Sequence, residues 1–440
     1  MAFIPAYILI LFFTILIDYV AGIYIEKVEG PKKKAFLVVS IVSTCVVLFI
    51  FKYFGFFTSS FEGLAGLFGW PVPHYVLKII LPIGLSFHTF QSLSYVIEVY
   101  RGKQRAERDF IVYATYVMFF PQLVAGPIER PQNLLHQFRE WHEFDYGNVT
   151  SGLKRMGWGF FKKLVVADRL ALYVNDVYAA PRGHNGLQLT IATVFFAYQI
   201  YCDFSGYSDI AIGAAQVLGF RLMENFRTPY YSLSISEFWH RWHISLSTWF
   251  KDYLYIPLGG SRVSKRRHIA NLLITFGISG LWHGANWTYV WWGLLNGSYL
   301  VMGSLTKSWR DRLFSAVGLH DRSFIRKAIM LLSTFILTCF AWIIFRAHSM
   351  GDAVYVATHL FSGWDFGNIK TPQFLLRQMP VALASILALE VGQLLARRKT
   401  PFNVLGKMPV SARWAAYAAF VILVVMFGIY QNRQFIYFQF

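Results

Sequence analysis

The 440-residue sequence predicts an all-α, polytopic integral membrane protein, and three features predict it. Hydrophobic residues make up 56% of the chain and charged residues only 15%, against roughly 45–50% and about 25% in a soluble domain. Mean hydropathy is +0.43. Apolar runs of bilayer-crossing length alternate with short clusters of Lys and Arg, the pattern of spans and cytoplasmic loops. Charge this scarce cannot coat the three or so soluble domains that length alone would suggest, and 18% aromatic residues exclude a disordered chain. The net charge of +18 falls mostly in the loops, so no nucleic-acid partner is expected. Cys45, Cys202 and Cys339 sit inside apolar runs with no disulfide or metal spacing.

The spans are predicted at about 2–25, 35–57, 76–99, 110–127, 187–219, 269–305, 328–347, 377–396 and 412–431. The first lacks a basic leader and a cleavage site, and reads as a retained helix. Lys27, Lys32, Lys33 and Lys34 place the first loop in the cytoplasm and the N-terminus outside. Gap 59–75 has no Lys or Arg, and the next loop holds Arg101, Lys103, Arg105 and Arg108. Basic clusters at 261–268, 307–327 and 397–413 continue the alternation, and gap 348–376, with Lys370 alone, falls outside. Residues 150–170 carry apolar side chains at helical spacing among Lys154, Arg155, Lys162 and Lys163, the pattern of an interfacial amphipathic helix. The run 187–219 is punctuated by polar residues and is expected as two short or broken helices. The run 269–305 is too long for one span and must turn, at Gly284–Asn286. In 221–262 charged residues alternate with aromatics; a re-entrant set of short helices and loops is expected, shielded from lipid.

Ionisable side chains near membrane depth are functional candidates by default. The densest group is Glu237, His240, Arg241, Trp242, His243 and Ser245. Glu-x-x-His spacing permits a metal reading, but steps of three fan side chains around a helix instead of converging them. The alternative is a set of hydrogen-bonded, aromatic-packed polar residues, and no metal is expected. A second group is Gly280, Trp282, His283, Gly284 and Asn286. At a deep turn His283 is placed to take a proton from a hydroxyl while Asn286 or a backbone amide steadies an oxyanion; a hydrogen-bonded core histidine is the plainer alternative. A third runs Tyr198, Tyr201, Asp203, Ser205, Gly206, Tyr207, Ser208 and Asp209, either bracing helices or lining an aqueous funnel. Asn225 and Arg227, in MENFRTP, and the segment PQLVAGPIERP read first as bracing.

With FPQLVAGPIERP (120–131), YCDFSGYSDIAIG (201–213), MENFRTPY (223–230), EFWHRWHISLSTWFKDYLYIPLGG (237–260), GLWHGANWTYVWWG (280–293) and FIYFQF (435–440), the sequence resembles the membrane-bound O-acyltransferase family, in its alginate O-acetyltransferase membrane-subunit branch. The resemblance implies one transmembrane domain over 1–440: N-terminal helices (1–109), a catalytic core (110–305) with the re-entrant segment 221–262, and C-terminal helices (306–440). It implies about 9 to 11 spans in a ring or funnel with a thin central tunnel. It makes His283 the catalytic histidine and His243 its partner. Asn286, Trp282, Trp242, His240, Arg241, Asn225, Arg227, Asp203, Ser205 and Tyr198 become candidates for substrate and donor binding. Two departures stand out: His240 replaces the usual arginine, and the N-terminal part is shorter by one or two spans.

The resemblance further implies no bound cofactor and a cytosolic thioester donor, acetyl-CoA or an acyl carrier protein. The acceptor lies outside a bacterial inner membrane: an extracytoplasmic acetyltransferase of SGNH type, or a glycan hydroxyl. A D-alanyl transferase fed by a carrier protein is the rival within the family, and a proton-coupled transporter the rival outside it. The transporter predicts inverted repeats, which the sequence does not show.

Overall fold

The computed structural model describes residues 7–70, 82, 84–364, 378–397, 408–430 and 435, and among them every regular element is helical. The helices are α1 (Tyr7–Lys27), α2 (Gly30–Leu48), α3 (Phe54–Leu67), α4 (Leu85–Tyr100), α5 (Phe110–Met118), α6 (Pro131–Leu134), α7 (Tyr146–Phe160), α8 (Asp168–Ala179) and α9 (Gly186–Val217). They continue with α10 (Ile235–Arg241), α11 (Ile244–Phe250), α12 (Lys265–His283), α13 (Trp287–Leu305), α14 (Lys307–Ala316), α15 (Phe324–Arg346), α16 (Met350–His359), α17 (Met379–Arg397) and α18 (Val410–Phe427). Five helical stretches among the described residues are long and apolar enough to cross a membrane: α1, the unbroken run Gly30–Leu67, α15, α17 and α18. The start of the expected span 76–99, Lys370, most of the basic cluster 397–413 and all of FIYFQF but Phe435 lie outside the described residues.

The chain divides into two compact units. The first comprises 1–153, 211–224 and 284–286. Here α1, α2 and α4 pack together, with Ile15, Ile25, Tyr95, Val96 and Tyr113 in the core. Asp18 is buried in α1, where it accepts from Ser40 Oγ (2.5 Å) and Thr44 Oγ1, hydroxyls that satisfy a carboxyl between helices. The span expected over 110–127 is not one continuous helix. Asp109 caps the start of α5, which stops at Met118, because Pro121 has no N–H to continue the ladder. The following PQLVAGPIERP segment is braced as expected: Gln122 Nε2 donates to the Tyr116 carbonyl, and Glu129 accepts from the Met223 amide.

The second unit comprises 154–210, 225–283 and 287–440. Residues 146–179 form one continuous helix whose middle, Phe161–Ala167, is a wide π turn. Its basic residues do not form the water-facing stripe of the amphipathic expectation. Leu153 and Phe160 are exposed, whereas Lys162 is buried and Lys163 half-buried. The reason lies in α9, which is a single 32-residue helix and not two. The polar residues that seemed to interrupt it face these lysines: Asp209 pairs with Lys162 (2.5 Å) and Arg155 (3.0 Å), and Asp203 with Lys163 (2.7 Å). Gly159 and Gly206 let the two backbones meet, since a Cβ on Gly159 would stand 2.6 Å from the Gly206 carbonyl. The expected turn in 269–305 falls where predicted, α12 ending at His283 and α13 starting at Trp287.

Candidate active site

Segment 221–262 is built of short pieces, as its sequence suggests: extended chain to Thr228, then the seven-residue helices α10 and α11. Ser234 caps α10 by accepting from the Glu237 amide (3.1 Å), and the Glu237 carboxylate accepts from the Leu233 amide (2.7 Å), one residue before the cap. The other Glu237 oxygen holds Arg241. His240 is exposed and donates from Nδ1 to the Ser236 carbonyl (2.6 Å). Glu237, His240 and His243 thus sit in three separate environments, and no metal-type cluster of His, Cys, Asp or Glu occurs among the described residues.

Residues 225–227 run beside 241–244: the Arg227 amide donates to the Arg241 carbonyl and the Ile244 amide to the Asn225 carbonyl, each at 2.9 Å. The crossing forces Thr228 (φ 45°) and His243 (φ 42°) into left-handed backbone, a conformation costing a non-glycine residue about 1–3 kcal/mol and concentrated at functional sites. His243 is buried, with Nδ1 3.1 Å from Asn225 Oδ1. The same oxygen accepts from the Ser245 amide (3.2 Å) and Ser245 Oγ (2.9 Å), and Asn225 Nδ2 donates to Ser208 Oγ (3.3 Å). The His243 ring stands edge-on to Phe204, centroids 4.5 Å apart.

His283 is buried at the end of α12. Its height is set by the contact of α12 with α13, where a Cβ on Gly280 would lie 2.1 Å from the Tyr289 carbonyl and one on Gly293 2.2 Å from that of Phe276. Trp282, Trp292 and Phe345 wall the ring at 4.8, 5.0 and 5.6 Å between centroids. Trp282 also reaches His243 (6.3 Å), so one indole touches both imidazoles. From His283 an aromatic wall continues through Trp292, Trp342, Trp242 and Tyr230 to Tyr198.

The structure therefore gathers His243, His283, Asn225, Trp242 and Trp282 into one buried cluster, with Tyr198 at the end of its aromatic wall. The other candidates stand elsewhere. Asp203 and Ser205 are engaged by Lys163 and Lys162. Arg241 is on Glu237, Arg227 and His240 are exposed, and Asn286 is exposed in the turn after His283. Sequence reasoning missed Trp342 and Phe345, which read there as ordinary span residues, and took Trp292 only as part of the motif GLWHGANWTYVWWG. It also missed Glu390, which accepts from the Tyr231 hydroxyl. A lone carboxylate in the apolar run 377–396 was the available signal.

The sequence model of the family described as MBOAT, membrane-bound O-acyltransferase, matches residues 104–346. A protein named probable alginate O-acetylase AlgI, from Azotobacter vinelandii, is 38% identical over 83% of this chain and 70% of its own length. One of the same name from Pseudomonas aeruginosa is 40% identical over 76% of this chain and 62% of its own. A peptidoglycan O-acetyltransferase from Helicobacter pylori is 33% identical over 78% and 68%. The chain spans about two thirds of the length of these relatives.

Proposed function

We propose, because this chain belongs to the membrane-bound O-acyltransferase family, that it transfers an acetyl group from a cytosolic thioester to a hydroxyl on the other side of a bacterial inner membrane. One observation carries the reading: His283 of the WHG motif and His243, the second histidine of WHRWHIS, 40 positions apart in sequence, are buried together inside an aromatic wall. In this reading His283 takes the proton of the acceptor hydroxyl as its oxygen bonds to the acetyl carbon. The carbon–sulfur bond breaks and the sulfur leaves as thiolate. Passing only a small neutral acyl group through a thin, funnel-like centre avoids carrying a multiply charged coenzyme through hydrocarbon. In this reading Arg227, which is exposed, meets the donor phosphates. The relatives' names point to envelope polysaccharide as the final acceptor, reached directly or through a serine of an extracytoplasmic SGNH-type transferase.

The test is transfer of labelled acetyl from acetyl-CoA by the protein in nanodiscs, with acetyl and D-alanyl carrier protein as parallel donors. A general base contributes about 10²–10⁴-fold, so His283→Ala should lose at least about a hundredfold at unchanged yield. Full turnover by that variant would sink the assignment, and preference for D-alanyl carrier protein would move the chain to the rival branch.

A further inference from the structure

The contacts of Asn225 determine which nitrogen of His243 carries the proton. The Ser245 backbone amide can only donate, so the Asn225 atom it meets at 3.2 Å is the carbonyl oxygen. That assignment agrees with the other end of the amide, whose nitrogen faces Ser208 Oγ. His243 Nδ1 approaches the same oxygen at 3.1 Å. Two acceptors cannot share a hydrogen bond, so Nδ1 carries the proton. In the neutral ring the lone pair then lies on Nε2.

Nothing in this arrangement is left to a flexible rotor. The backbone bonds between 225–227 and 241–244 fix the separation of the two residues, and the left-handed turn at His243 directs its ring back toward Asn225. With three donors already on Oδ1, that oxygen has little capacity left for a substrate. We propose that Asn225 is a positioning residue that holds His243 in the Nδ1–H tautomer, so that Nε2 is the nitrogen able to accept a proton beside His283. The use of that proton rests on the acyl-transfer reading; the tautomer does not.

Histidine-selective ¹⁵N NMR on the full chain in nanodiscs, with the His243 signals assigned by loss in His243→Gln, reads the tautomer directly. The expected result is a pyrrole-type Nδ1 and a pyridine-type Nε2. Asn225→Leu should release the ring to mixed tautomers and lower kcat by about 10²–10⁴-fold, the worth of a positioned base, with KM little changed. Asn225→Asp keeps an acceptor for Nδ1–H and should restore both the tautomer and much of the lost turnover. A protonated Nε2 in the wild-type protein overturns the proposal whether or not the leucine variant folds, as does a leucine variant with tautomer and kcat unchanged. If instead His283→Ala is fully active while His243 shows Nδ1–H, the acyl-transfer reading falls and this inference stands.

Discussion

His283 closes the nineteen-residue helix α12, whereas His243 stands in a strained turn between two helices of seven residues each. The first is placed by backbone contact at Gly280 and Gly293 and by three aromatic rings. The second is placed by hydrogen bonds converging on Asn225, near the ion pairs of Lys162 and Lys163. A ring held by packing responds to volume; one held by polar contacts responds to lost partners. The two halves of one buried cluster should therefore fail under different substitutions.

The largest effect is expected where charge is buried. Lys163→Met removes a cation that pairs with both Asp203 (2.7 Å) and Asp168 (2.9 Å) and should cost about 3–5 kcal/mol. Because the penalty comes from carboxylates that have lost a paired cation, adding Asp203→Leu and Asp168→Leu should recover much of it; a triple variant no more stable than the single one would contradict that account. Next comes the packed side. Gly280→Ala puts a Cβ 2.1 Å from the Tyr289 carbonyl and should cost about 1–3 kcal/mol while pushing α13 away from His283. Wild-type melting and turnover in that variant would show that helix spacing does not set the His283 position.

Smaller effects test the strained side. Removing the α10 cap with Ser234→Ala should cost about 1 kcal/mol, whereas Thr228→Gly relieves a left-handed residue and should raise stability by up to about 1 kcal/mol. The smallest is pH-dependent and lies in the loop before α5. Burial raises the Glu107 carboxyl, but the Arg139 guanidinium and the Asp109 and Arg108 amides outweigh it and hold the group below its ordinary value. Its stabilising contribution is complete above the unfolded value, about pH 4.3, and is lost as pH falls through the lower folded value. The difference in melting temperature between wild type and Glu107→Gln should shrink only in that acidic range.

Much of this was legible in the sequence. The α12–α13 turn followed from the length of an apolar run bounded by basic loops, and the broken character of 221–262 from its alternating charge. Polarity misled where polar residues find each other inside the protein. Asp203 and Asp209 looked like interruptions of a span, and Lys162 and Lys163 like a water-facing stripe, because periodicity cannot show that the two sets neutralise one another. The role of Asn225 was out of reach for a related reason: its partners lie at 208, 243 and 245, and only the fold brings them together.

The π turn at Phe161–Ala167 also limits how the chain can vary in length. Such a turn accommodates a residue beyond the α-helical repeat. Deleting one residue there would restore ordinary winding and rotate everything downstream by about 100°, carrying Arg169 away from the Phe427 carbonyl it now holds. Single-residue gaps, normally confined to loops, would here be as damaging inside a helix as a charge in the core. Homologous chains that keep the Lys162 and Lys163 pairings are expected to keep the residue count between Gly159 and Arg169 unchanged.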